Sequence, residues 1–161
     1  MKEIHEAHLK WLASKDEAQC RYEKAGDYDV ARKLKSCSMF SGNETIEGAV
    51  DVMFTSQGIE FITDNMFPDL ATFRKFKKYG IEKLGVYVDS GDISLSDVSR
   101  CCIVGKTNAD IECNKTQLYR IVAVRGAKVK VFARGYSVVK IEQDEYSSVS
   151  VINTEHAKVM L

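Results

Sequence analysis

From Ala127 onward the chain repeats every ten residues: AKVKVFARGY, SVVKIEQDEY, SSVSVINTEH and a shortened AKVML. Val129, Val139, Val149 and Val159 fall in one column, and Val131, Ile141, Val151 and Leu161 in another. Ala127, Ser137, Ser147 and Ala157 share the first position. The frame runs backward through Tyr119 and Ile121, then more weakly through Ala109 and Ile111, and Ser99 and Cys101. A short fixed period means one small unit stacked on copies of itself. Such a repeat sets the fold of half the protein and sets no activity.

Each unit alternates as a strand does. Val129, Val131 and Ala133 point one way, and Lys128, Lys130, Phe132 and Arg134 the other. The next unit sets Val139, Ile141 and Gln143 against Val138, Lys140 and Glu142; the third sets Val149, Val151 and Asn153 against Ser148, Ser150 and Ile152. β-Branched residues fill the inward set. Arg134-Gly135, Asp144-Glu145 and Thr154-Glu155 separate the strands. A five-residue strand spans roughly 17 Å, so ten residues can hardly close a circuit around a filled core. Two units per coil of a parallel β-solenoid would place Val129 over Val149 and Val139 over Val159. The alternative is an antiparallel meander, one strand and one turn per unit. Tight hairpins favour Asn-Gly or Asp-Gly, which the turns ARGYS, QDEYS and NTEHA lack, so the solenoid is the expectation. Backward from the repeats, GVYVDSGDISL reads as an opening strand, a turn and a second strand, which starts the β region near residue 85.

Residues 1–84 read as helical. Ile4, His8, Trp11, Leu12 and Ala18 recur at near-helical intervals over residues 2–24, and Ala25-Gly26 closes the run. A second helix spans Asp27 to Cys37. Asn43 is a candidate N-cap for a segment through Val50, and Ser56 for a helix over Gly58 to Thr63. Pro68 opens a further helix through about Lys77, with Leu70, Phe73 and Phe76 as its stripe. The fold class is therefore α+β: a helical N-terminal region, 1–84, and a β-solenoid, 85–161. A stacked β core needs its ends covered. Residues 43–84 are the expected cap of the first coil. At Val159-Met160-Leu161 the frame stops within a unit, and either residues 1–40 or another subunit is expected to cover that end.

Net charge is zero over 161 residues. Residues 1–85 carry 13 basic and 14 acidic side chains, and residues 86–161 carry 10 and 9. Neither half has the basic excess of a general nucleic-acid binder. Five cysteines without regular spacing argue against a disulfide framework. No apolar run approaches 18 residues, and MKEIHEAHLKW lacks a signal-peptide core. A cytoplasmic protein with no membrane contact is expected.

Motifs for chemistry do not complete themselves. His5 and His8 are three apart on a predicted helix, with no HExxH pattern and no third ligand, so no metal is expected. Cys101 belongs to the inward column and Cys102 to the outward one; His156, the only histidine in this half, lies at a repeat corner. Asp89, Asp92 and Asp97 lack the spacing of a calcium loop and read as turn formers. Gly105-Lys106-Thr107 has Arg100 where a phosphate loop needs glycine, and reads as a turn. No cofactor is expected, and no catalytic residue is assigned.

What remains is surface. Lys128, Lys130, Arg134 and Lys140, with Arg120 and Arg125, crowd into neighbouring repeats as a basic patch or a solvated face. Tyr136 and Tyr146 share a repeat position with His156, giving a corner stack or a binding strip. Phe132 and Ile152, one coil apart, would form a small apolar patch.

The stretches GIEFITDNMFPDLATFRKF, YVDSGDISL and RGAKVKVFARGYSVV carry a resemblance. They combine an FPxLxxFR-like motif (Phe67, Pro68, Leu70, Phe73, Arg74) with a later pattern at Gly126, Ala127, Lys128, Ala133, Gly135, Val138 and Val139. In this the chain resembles a group of small uncharacterised β-repeat proteins of bacterial mobile elements and phage-like regions, over residues 57–161. The resemblance implies the architecture and a mobile-element setting, and no functional residue. The expected function is a non-enzymatic binding or scaffolding protein that works through the repeat surface and associates with itself or an unidentified protein. One alternative is an acyltransferase-like enzyme at a solenoid groove, with His156 as base. Another is a nucleic-acid or nucleotide binder using Lys128, Lys130, Arg134 and Lys140, whose binding would weaken steeply with salt.

Overall fold

The computed structural model describes all residues, 1–161. Two compact units make up the chain, Met1–Thr72 and Phe73–Leu161.

The first unit is helical. Its elements are α1 (Lys2–Lys24), α2 (Tyr28–Ser36), α3 (Ile46–Met53) and α4 (Ser56–Asp64). α1 buries Ile4, Ala7, Trp11 and Ala18, a stripe at helical spacing. Asp27 caps α2 by accepting the Val30 N–H at 3.3 Å. The α3 cap is Thr45, which accepts from Gly48 N–H at 3.1 Å, rather than Asn43. The reason is local: the Glu44 carboxylate gathers Ser41 N–H, Ser41 Oγ and Gly42 N–H into a turn and delays helix entry by two residues. Thr55 rather than Ser56 caps α4, through Gly58 N–H at 3.0 Å. Gly58 has a second reason to be glycine: a Cβ there would stand 2.0 Å from the Val52 carbonyl oxygen. Trp11 meets Phe40 and Phe61 edge-on, with ring centroids 6.2 and 6.1 Å away. His8 stacks on Trp11 at 5.8 Å and meets Phe40 edge-on, which makes it part of this aromatic cluster.

Helix α5 (Leu70–Lys77) starts two residues after Pro68, and Asp69 holds its first turn by accepting the Thr72 N–H at 2.8 Å. Its second half belongs to the solenoid unit. There Arg74 Nε donates to Asp89 Oδ2 at 2.6 Å, and Lys77 Nζ to the Asp89 carbonyl at 3.1 Å. These contacts pin the helix to the first corner of the β region. A 3-10 helix, Ile81–Leu84, leads into it.

Nine strands follow: β1 (Val86–Val88), β2 (Gly91–Ser96), β3 (Arg100–Val104), β4 (Thr107–Cys113), β5 (Leu118–Val124), β6 (Lys128–Ala133), β7 (Val138–Gln143), β8 (Ser148–Asn153) and β9 (Lys158–Met160). They form a parallel β-solenoid of about four turns. Odd-numbered strands make a five-stranded sheet, β1-β3-β5-β7-β9, and even-numbered strands a four-stranded sheet, β2-β4-β6-β8. Two ten-residue units therefore close one coil, and residues twenty apart are neighbours: Val129 pairs with Val149, and Val139 with Val159. All pairings are parallel, so the meander is excluded.

The core is two facing ladders. Ala109, Val129 and Val149 form one column, beside Ile111, Val131 and Val151; Cys101, Ile121 and Ile141 face them from the other sheet. The first coil is shorter than the rest. Ser96 pairs with Glu112, sixteen residues on, whereas Arg100 pairs with Arg120, twenty on. Four residues are thus missing from the corner Asp97–Ser99, where the ten-residue frame fades in the sequence. Asp97 takes that corner at φ 55, and its Oδ1 accepts the N–H groups of Asn114 and Lys115 and the Tyr119 hydroxyl, at 2.8, 3.3 and 2.7 Å. Asp89 does the same at its own corner, accepting Lys106 N–H at 2.8 Å. Asp89 and Asp97 are thus corner formers, whereas Asp92, expected to be one with them, lies within β2 and accepts from Asn108 Nδ2 across the ladder at 2.7 Å.

Candidate repeat-surface binding site

The nine surface residues singled out in the sequence fall on four parts of the solenoid, two sheet faces and two corners. Lys128, Lys130 and Phe132 lie on the outer face of the four-stranded sheet because β6 alternates Val129, Val131 and Ala133 into the core. Register sets their neighbours: Lys128 lies between Asn108 and Ser148, Lys130 between Asp110 and Ser150, and Phe132 between Glu112 and Ile152. The expected Phe132–Ile152 patch is thus a true ladder contact. Lys130 Nζ lies 6.0 Å from the Phe132 ring centroid, a cation–π contact at its outer limit. Asn108, Asp110, Lys128, Lys130, Ser148 and Ser150 line a shallow groove of about 390 Å³ on this face.

Lys140 is elsewhere. It stands on the outer face of the five-stranded sheet, in one column with Arg120 and Met160, and its Nζ meets Glu142 Oε1 at 3.2 Å. The basic group read from the sequence is therefore split between two sheets, since consecutive ten-residue units alternate sheets. Arg134 is exposed at the end of β6.

The corner residues divide for the same reason. Tyr136 and His156, twenty apart, stack with ring centroids 4.8 Å apart and planes 15° from parallel. Glu155 Oε2 accepts the Gly135 N–H at 2.7 Å and ties the two corners together. Tyr146 is not in this stack; it occupies the opposite corner, between β7 and β8, and is exposed. His156 lies exposed beside Tyr136.

The cysteines lie in the strands. Cys101 and Cys113 belong to the inward core. Cys102 lies on the outer face, as alternation requires, yet is only 1% exposed. Burial pushes the thiols of Cys102 and Cys113 up to about 12 and also raises that of Cys101. That suppresses the thiolate a nucleophile needs. Val104, Val122 and Val124 on the same outer face are equally buried. Arg125 and Asp144 form a buried ion pair, Nη1 to Oδ2 at 2.7 Å, and Asp144 also accepts the Arg125 N–H, which suits a corner staple.

Exposed apolar side chains are unevenly spread along the solenoid. Of the large ones only Leu118 precedes residue 135; Tyr136, Tyr146, Ile152, Met160 and Leu161 follow it. β8, at the edge of its sheet, reads SVSVIN, with no charge, proline or glycine. Edge strands normally carry such guards. Sequence reasoning missed Ser148 and Ser150; the signal was their even-numbered position beside Lys128 and Lys130. Comparison with protein-family models, curated proteins and solved structures returns no match. No helix is long and apolar enough to cross a membrane.

Proposed function

We propose that this chain is a non-enzymatic binding or scaffolding protein that works through the surface of its repeats and associates with a second copy of itself. The observation that carries the reading is the concentration of exposed apolar side chains in the last two coils, beside a β8 edge without charged guards. Exposed apolar patches mark contact sites, and the ladder pair Phe132–Ile152 forms one. The Tyr136–His156 stack adds an aromatic pair at a corner of the same coils. The enzymatic alternative draws no support from His156, which stacks on Tyr136 at an exposed corner. The nucleic-acid alternative loses Lys140 to the other sheet. Five free cysteines, three of them buried, suit a reducing cytoplasmic setting. The mobile-element setting rests on the motif resemblance alone.

Native mass spectrometry of the freshly purified chain tests the reading. A dimer or larger species without added mass is the expected result. A monomer carrying a metal, nucleotide or metabolite would overturn it and direct attention to a ligand-binding or enzymatic role.

A further inference from the structure

We propose that the outer face of β6 and β8 docks an extended segment of another protein, one that carries two acidic residues and one apolar residue at alternate positions. This inference rests on the binding reading above and names the partner's chemistry. Three matched rungs cross the face. Register sets Lys128 beside Ser148, Lys130 beside Ser150, and Phe132 beside Ile152. Neighbouring strands lie about 4.8 Å apart, so each of the first two rungs offers an ammonium and a hydroxyl to one carboxylate, as charge-assisted hydrogen bonds. The third rung is apolar. Lys128, Lys130, Ser148 and Ser150 line the shallow groove of this sheet and are all exposed. None of their side chains is tied to another polar group of the chain, whereas Lys140 on the other sheet is tied to Glu142. Side chains two apart in a strand stand about 6.6 Å apart on one face. An extended peptide laid along β6 has the same period, so its alternate side chains meet successive rungs. Its adjacent side chains point to opposite faces, so two acids in direct succession cannot both be met. The carboxylates Asp110 and Glu112 stand on β4, on the other side of β6 from β8. They place an acidic segment over the β6–β8 side. A nucleic-acid strand fits less well, because its phosphates would need a third cation where Phe132 and Ile152 stand. The docking uses side chains on the face and no strand edge.

Backbone amide shifts of the isotope-labelled full chain read the binding of two probes: the peptide Thr-Glu-Thr-Glu-Thr-Leu-Thr, blocked at both ends, and the same residues in reversed order. One of them should shift the amides of residues 128–132 and 148–152 saturably, with a dissociation constant of about a millimolar or tighter. Thr-Glu-Glu-Thr-Thr-Leu-Thr, with its acids adjacent, loses one charged rung and should bind about threefold more weakly. Lys128→Glu with Lys130→Glu should abolish binding of the acidic probes and take up the peptide with Lys in place of both Glu. Lys140→Gln, on the other sheet, should change nothing. Unaltered affinity in the double variant, equal binding of the adjacent-acid peptide, or shifts confined to other residues would overturn the assignment. So would an oligothymidylate that moves the same amides at lower concentration than either peptide, since the face would then be a phosphate track. If neither peptide binds and native mass spectrometry shows a dimer, this assignment falls and the surface reading stands. If neither binds and the chain is a monomer carrying a ligand, both fall.

Discussion

Replacing Tyr119 with phenylalanine should weaken the solenoid by about 2 kcal/mol at neutral pH and by much less in acid. Tyr119 is fully buried in the core column of Val139 and Val159. Its hydroxyl donates to Asp97 Oδ1 at 2.7 Å and accepts the Lys115 N–H at 3.0 Å. Phenylalanine keeps the ring in place, so no cavity opens. The larger of the two losses is the hydrogen bond to a carboxylate, worth about 1.5–3 kcal/mol. Lys115 N–H keeps a second acceptor in Asp97 Oδ1 at 3.3 Å, which brings the expectation to the lower half of that range. The pH dependence follows from Asp97. The Tyr119 hydroxyl, followed by the Asn114 N–H, holds its carboxyl below the usual carboxylate range. A carboxyl lowered in the folded state adds stability above its unfolded value, and that stability is lost as pH falls through the folded value. The difference between parent and variant should be full at pH 7 and should close in acid, once Asp97 is protonated in both. Urea unfolding followed by the β-sheet circular dichroism signal measures it; fluorescence of Trp11, the only tryptophan, reports separately on the helical unit. A difference under about 0.5 kcal/mol at pH 7 is within the range of an ordinary surface change and would refute the corner account, as would a difference that persists unchanged in acid.

Two further outcomes are expected. Ser137 is fully buried and its Oγ lacks a hydrogen-bond partner, while the same repeat position holds alanine at residues 127 and 157. Ser137→Ala should therefore raise stability by about 1 kcal/mol in the same unfolding assay, and a loss of stability would show that the hydroxyl is used. Among the cysteines, Cys20 is exposed and Cys37 partly so, while Cys101, Cys102 and Cys113 are buried. A thiol reagent near pH 8 should modify Cys20 and Cys37 in the native protein and reach the other three only in denaturant; native modification of Cys102 would contradict its burial.

The solenoid was legible because the core columns are one-dimensional in the sequence. Val129 and Val149 face the same way, and a constant spacing is all that stacking requires. The frame faded before Cys101 because one corner, Asp97–Ser99, is four residues shorter than its successors, and a period cannot survive a deletion. Helix caps were harder. Asn43 and Thr45 are both good cap residues, and only the turn closed by Glu44 decides between them. On the surface, a ten-residue frame merges two different faces. Tyr136 and Tyr146 share a column in the frame and lie at opposite corners in the fold, whereas the true neighbours, Tyr136 and His156, are twenty apart. Lys140 parted from Lys128 and Lys130 for that reason. Burial of the outer face of β3 and β5 was missed; its signal lies in the runs CCIV and IVAV, since a strand covered on both sides loses its alternation.

All the ladder contacts depend on twenty residues closing one coil, and a distance between two labels tests this most directly. In a chain carrying Cys20→Ser and Cys37→Ser, spin labels at positions 132 and 152 should lie on adjacent strands, about 5 Å apart at the backbone, and broaden each other strongly. Labels at 132 and 142 should lie on the outer faces of opposite sheets and broaden each other far less. The reverse pattern, with 132 and 142 close and 132 and 152 apart, would mean that consecutive units pair with each other, and would contradict the solenoid.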